Sequence, residues 1–196
     1  MEWLTLSELA GKPIIKWVIQ VIRSRVRNSI RNNLKVNVQM CDIDTTMSSL
    51  PIVFRIIVDS KTPAVIRIIG IDYLVFFNYI LNKEGLCIPI QSGYWRKGMA
   101  FDSNGYSIND GNAVVIKGNS CGQINVSISP FKLGWFPKEC NNLGLRGTIY
   151  IDSSYGQINI PFEALKLQCD ASKWEDGRQR FTNKYQSMKE YINATS

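Results

Sequence analysis

Histidine is absent from all 196 residues of this chain. That absence removes Ser-His-Asp and Cys-His catalysis, histidine-ligated metal sites and the usual proton shuttle near neutral pH. No G-x-x-x-x-G-K-[ST] phosphate loop and no G-x-G-x-x-G turn occurs, which excludes two common ways of cradling a nucleotide. Cysteine is present five times (Cys41, Cys87, Cys121, Cys140, Cys169) but never as C-x-x-C. An odd number at wide spacing makes a poor disulfide framework and a poor zinc site. The expectation is free thiols in a reducing compartment, with one disulfide between distant strands left open. Long hydrophobic runs are also missing. The densest one, Ile14 to Ile22, is broken by Lys16 and Gln20 and falls short of the ~20 residues a membrane span needs. The first residues, Met1-Glu2-Trp3-Leu4, lack the positive n-region of a signal peptide. The chain therefore reads as cytoplasmic, either peripheral to a membrane or part of an assembly. No enzymatic activity, cofactor or metal is expected. Asp42 and Asp44 fall on one face of a strand, which makes a weak cation site conceivable, but a solvated strand end is the ordinary reading.

Acidic residues are missing from one long stretch. From Ala10 to Cys41 there are seven basic residues (Lys12, Lys16, Arg23, Arg25, Arg27, Arg31, Lys35) and no acidic one. Residues 1–41 carry those seven against Glu2 and Glu8, hence +5 of the net +7. Basicity thus belongs to the N-terminal segment, whereas a nucleic-acid footprint normally extends over the folded body. In the same stretch Ile15, Val18, Ile19, Ile22, Val26 and Ile30 recur at three- and four-residue steps, the spacing of one helix face. Pro13 suits the first helical position, and Asn32-Asn33 suits the stop. Residues 1–33 are read as a basic amphipathic helix.

Residues 34–169 change period. Leu34 to Cys41 alternates apolar and polar, as a half-buried strand does. Further strands are expected at 51–58, 64–77 (with Gly70 at a bulge or bend), 86–90, 113–117, 123–129, 147–151, 157–162 and 165–169. Asp102-Ser103-Asn104-Gly105, Asn109-Asp110-Gly111-Asn112 and Asp152-Ser153-Ser154-Tyr155-Gly156 supply turns. About eight or nine short strands with turns between them predict a mainly β fold, an antiparallel β-sandwich rather than βαβ units. Gly122-Gln123-Ile124-Asn125-Val126 echoes Gly156-Gln157-Ile158-Asn159-Ile160, as two strands entered from Gly turns would. Residues 170–196 return to helical period. Ser172-Lys173-Trp174-Glu175 forms a capping-box pattern, and Trp174, Phe181, Tyr185, Met188 and Ile192 share a face. Gly177 predicts a late start for this helix.

The strand run Ile52-Val53-Phe54-Arg55-Ile56-Ile57-Val58 leads through Asp59-Ser60-Lys61-Thr62-Pro63 to Ile66-Arg67-Ile68 and Ile71-Asp72-Tyr73. The late hairpin ends in Ile158-Asn159-Ile160-Pro161-Phe162. Over roughly residues 36–168 this pattern resembles the type 2 late-embryogenesis-abundant proteins, also called water-stress/hypersensitive-response (WHy) domains. Their Asn-Pro-Asn turn is replaced here by Asp59-Ser60-Lys61-Thr62-Pro63. The resemblance implies an immunoglobulin- or fibronectin-like sandwich, without catalytic residues, near membranes and tied to stress protection. It transfers no site residues.

The candidate functional residues therefore lie mainly on the N-terminal helix. Ile15, Trp17, Ile19, Ile22, Val26 and Ile30 could meet a membrane or protein partner, and Lys16, Arg23, Arg25, Arg27 and Arg31 an anionic surface. Trp95, Arg96 and Lys97 join the second group, because an aromatic beside basic residues suits a headgroup layer or a base. Four roles remain open for the stripe: packing on the chain's own body, lying on an anionic membrane, oligomerising with copies or a partner, and backing a nucleic-acid-binding face. An anionic membrane surface or a protein partner ranks first, and nucleic acid ranks behind.

Overall fold

The structure, a computed structural model, describes residues 3–43, 52–84, 87–97, 100–108, 112–128, 143–168 and 171–194. Helix α1 (Trp3–Asn32) is followed by β1 (Leu34–Ile43), β2 (Ile52–Ser60), β3 (Ile66–Leu81), β4 (Cys87–Lys97) and β5 (Ala100–Phe101). Then come β6 (Val114–Ile116), β7 (Cys121–Ile128), β8 (Leu143–Ser153), β9 (Ile158–Leu167) and helix α2 (Ala171–Ala194).

Period-two alternation drives the sheets. Along β2 the residues Ile52, Phe54, Ile56 and Val58 are buried, while Arg55 and Asp59 are exposed. One sheet has the order β1-β2-β7-β5 and the other β4-β3-β8-β9, with β6 pairing the start of β3. All the pairings are antiparallel. First, second, seventh and fifth strands on one side, with fourth, third, eighth and ninth on the other, is the immunoglobulin/fibronectin-like arrangement. The core lies between the sheets, and Tyr73 of β3 spans it. Its ring is fully buried, and its hydroxyl donates to the Ser127 carbonyl of β7 at 3.1 Å.

Strands β3, β4 and β8 run past their expected bounds of 64–77, 86–90 and 147–151, β5 adds a short strand, and three further differences have a local reason. Helix α1 starts at Trp3 and contains Pro13 instead of beginning with it. A proline inside a helix forfeits one backbone hydrogen bond, and the surrounding turns carry the helix past that loss. The two strands expected at 157–162 and 165–169 are replaced by the single strand β9 with a bulge. Leu145 pairs with Ala164 but Leu143 with Leu167, and Lys166 has φ +55°. The bulge's amide, on Lys166, donates to the Tyr79 hydroxyl at 2.6 Å, so the extra residue leaves no orphaned donor. Helix α2 begins at Ala171, ahead of Gly177 rather than after it, and Ser172 sits inside its first turn. Gly177 and Trp174 are buried there, and Trp174 rests on Phe77 with ring centroids 5.5 Å apart. The side chains of Phe181, Tyr185, Met188 and Ile192 lie outside the described residues.

Other local expectations hold. The pairing of β3 with β8 shifts register between Ile68 and Gly70, as a bulge at Gly70 requires. The β8–β9 hairpin closes on Gly156 (φ +110°), whose amide donates to the Ser153 carbonyl at 2.9 Å. Helix α1 ends at Asn32. The Asn33 amide donates back to the Ser29 and Ile30 carbonyls, its side-chain amide also reaches Ser29, and its carbonyl accepts from the Lys61 amide at 2.9 Å. Only Asn33 separates α1 from β1.

Candidate functional site

Helix α1 meets the sandwich where β1, an edge of one sheet, approaches β9, an edge of the other. Ile30 is 2% exposed there and Val26 is packed against the core. Ile30 belongs to the protein's own interior and Val26 packs partly buried against it, which corrects their assignment to an outward binding face. The apolar stripe does not end with them. Ile15, Trp17, Ile19 and Ile22 are 61%, 65%, 46% and 54% exposed, and Ile14 and Val18 are exposed beside them. From Pro13 to Gln20 the helix is exposed on every side, which means it has left the body. At ~150–250 Å² for a large apolar side chain, these six expose roughly 600 Å². That is at or above the largest apolar patch of an ordinary monomer, ~300–600 Å².

The basic residues divide as well. Lys16 is exposed on the projecting part, and Arg23 and Arg25 are exposed where the helix reaches the body. Arg27 is half-buried against the β8–β9 turn, and Arg31 is exposed near the helix end. Arg27 and Arg31, with Ser24 and Asn28, form one wall of a recess of about 280 Å³, and Gln157, Ile158 and Asn159 of β9 form the other. None of Lys16, Arg23, Arg25, Arg27 and Arg31 has an ion pair among the described residues. Trp95, Arg96 and Lys97 lie on β4, opposite Leu74, Tyr73 and Asp72 of β3. Strand β4 is the far edge of its sheet from β9, so this trio and the helix cations are not brought together. The side chains of the trio are outside the described residues, as are those of Cys41, Cys87 and Asp42. Asp44, Asp110, Cys140 and Cys169 are outside them entirely. Cys121 is an exposed free thiol.

Two polar features of the outer face of the β4-β3-β8-β9 sheet escaped the sequence reading. Arg146 pairs with Glu163 at 4.0 Å and lies over the Phe76 ring, 5.5 Å from its centroid. Both charges border an open groove of about 470 Å³ that also includes Thr148 and Pro161. Its cation and its carboxylate answer each other, so the groove offers no unspent charge. Nearby, Tyr150 donates to Asp72 Oδ2 at 2.6 Å. That hydrogen bond, assisted by burial and by the carboxylate's charge, raises the Tyr150 phenol above its usual pKa. Asp72 Oδ1 is buried without a hydrogen-bond partner. No group of three or more metal-ligating side chains occurs, and no helix is long and apolar enough to cross a membrane, among the described residues.

No protein-family model and no curated protein matches this chain. Solved structures do. A protein assigned to the late-embryogenesis-abundant class is 12% identical, with a TM-score of 0.37 over 81% of this chain and 85% of that one. The PapD-like domain 7 of human CEP192 is 5% identical, with a TM-score of 0.34 over 70% and 87%. AggA, the major subunit of Escherichia coli aggregative adherence fimbriae type I, is 17% identical, with a TM-score of 0.31 over 72% and 98%. The first of these is described as belonging to the class that the sequence resembles, and at these identities the likeness concerns the fold alone.

Proposed function

We propose that this is a non-catalytic β-sandwich protein docked to an anionic membrane surface by its N-terminal helix. The observation that carries this reading is the exposed half of α1. Ile14, Ile15, Trp17, Val18, Ile19 and Ile22 lie outside the body beside Lys16, Arg23 and Arg25, with no acidic residue between Ala10 and Cys41. An interfacial helix needs that combination of an apolar face for the acyl boundary and cations for lipid phosphates. Trp17 adds a side chain suited to the headgroup layer.

One observation favours a second reading, attachment to a larger assembly as a structural subunit. At 100° per residue, the exposed apolar residues from Trp17 round to Ile19 cover about 200° of the helix, more than a single flat interface uses. A helix apolar on most sides is commonly buried among others.

Flotation with phosphatidylserine-containing and with neutral phosphatidylcholine vesicles separates the two. The full chain is expected to float with the anionic vesicles, and Ile15→Asp/Ile19→Asp to stay at the bottom. Equal recovery of the two proteins refutes the membrane reading. A lipid-free mass above the monomer by light scattering, abolished by the same substitutions, supports assembly in its place. Point substitutions are preferable to deleting residues 1–33, because that deletion also removes Ile30 from the core.

A further inference from the structure

We propose that the recess between α1 and β9 is a binding site for a phosphate-class anion, held by Arg27 and Arg31. Four observations converge on it. The two guanidinium groups stand four residues apart, so they share one side of the helix, and both line the recess. The other polar lining residues, Ser24, Asn28, Gln157 and Asn159, can all donate a hydrogen bond, and none of the seven lining residues is acidic. Neither arginine has an ion pair among the described residues. And Arg27 is half-buried, with its side chain beside Gly156 of the β8–β9 turn: a Cβ built there would lie 3.6 Å from Nη1 and 3.7 Å from Cδ, which places the guanidinium at the β9 wall of the recess.

The negative end of the helix dipole accounts for arginines in the last turns of α1. It does not account for a set of donors facing them from β9 with no carboxylate to answer the charge. Like charges four apart on a helix repel, and an anion between them turns that repulsion into a fork of charge-assisted hydrogen bonds. At about 280 Å³, against the ~10–15 Å³ that one water needs on the same measure, the recess has room for a phosphate group with part of its hydration. Phosphate fits this chemistry better than a carboxylate, because its three or more acceptor oxygens can meet donors from both walls at once.

The site stands independently of the docking reading, since a soluble anion can fill it with the apolar half of the helix free. The shared chemistry is a phosphate, from solution or from a lipid phosphomonoester. Titration of the full chain with pyrophosphate at low salt, followed by calorimetry, tests the first source. Saturable one-to-one binding is expected, at least tenfold weaker in Arg27→Gln and in Arg31→Gln, and unchanged in Arg25→Gln. Phosphatidic acid vesicles preferred over phosphatidylserine vesicles, with the preference lost in Arg27→Gln, assign the lipid source. Either result carries the proposal. Binding that survives Arg27→Gln, or that falls equally in Arg25→Gln, overturns it, and so does the absence of both responses. Should Arg27→Gln not fold, Asn159→Asp puts a carboxylate on an exposed strand position of the rim and is expected to abolish binding; retained affinity there also overturns it. Ile15→Asp/Ile19→Asp leaves pyrophosphate binding intact, so failure of docking and failure of this site are distinguishable.

Discussion

Exchanging single isoleucines along α1 distinguishes the half of the helix that belongs to the fold from the half that does not. Ile30 is 2% exposed and part of the core cluster, and Ile19, eleven residues earlier in the same stripe, is 46% exposed. Truncating a buried isoleucine to alanine costs about 2–5 kcal/mol, because transfer energy is lost and a cavity is left. With a urea m-value of about 2 kcal/mol per M, a mid-range loss of about 3 kcal/mol lowers the unfolding midpoint by roughly 1.5 M for Ile30→Ala. Ile19→Ala removes surface that water already reaches. Its effect is expected to stay within about 0.5 kcal/mol, a midpoint change of less than about 0.3 M, and alanine's better helix propensity pulls it toward zero. Urea titration followed by far-ultraviolet circular dichroism, without lipid, gives both midpoints. If Ile19→Ala loses as much as Ile30→Ala, the projecting half is packed on the protein's own body and the docking surface does not exist.

Further expectations concern the sandwich. Gly147→Ala places a methyl group against the Asp72 backbone carbonyl of the neighbouring strand, which cannot swing away as a side chain can, and a loss above about 2 kcal/mol is expected in the same titration. Gly105→Ala meets nothing within 4 Å but keeps φ +86°, so it should cost only about 1–2 kcal/mol from the left-handed backbone. Tyr79→Phe removes the acceptor of the Lys166 amide at the β9 bulge and should cost about 1–3 kcal/mol, seen as faster amide exchange at Lys166. The raised Tyr150 phenol binds its proton more tightly in the folded state than in the unfolded one. Its contribution is therefore complete below the ordinary tyrosine pKa of about 10 and is lost as pH rises through the higher folded value. Absorbance titration at alkaline pH should show a late-titrating component that shrinks by one phenol in Tyr150→Phe; a late component unchanged in the variant refutes the pairing.

The sandwich was legible because alternation is local. Leu34, Val36 and Val38 alternate with Lys35, Asn37 and Gln39 in β1 without reference to any other part of the chain. The β9 bulge was not, since Lys166 leaves the regular strand backbone only because Tyr79, 87 residues away in sequence, receives its amide. Pro13 misled for a related reason. Its chemistry fits a helix start, and nothing local says that ten residues before it are helical too. The stripe on α1 was visible as a periodicity, but periodicity is the same on a covered turn and an uncovered one. Only the position of β1 and β9 tells Ile30 from Ile19. The recess shows the same limit. Arg27 and Arg31 stood out as charges, whereas Gln157 and Asn159 drew notice only as part of the echo with Gln123 and Asn125. In β7 the corresponding Gln123 and Asn125 side chains bond each other at 3.1 Å, so the sequence pattern alone does not make a recess.

The passage from α1 to β1 is a single residue, Asn33, whose amide, carbonyl and side chain are all hydrogen-bonded. Such a junction contains no swivel. Any surface that grips the helix also sets the tilt and heading of the sandwich, and torque on one is transmitted to the other. A leash would let the domain sample every direction above its anchor. This connection is built as a bracket, so whatever holds the helix holds the sandwich in one heading.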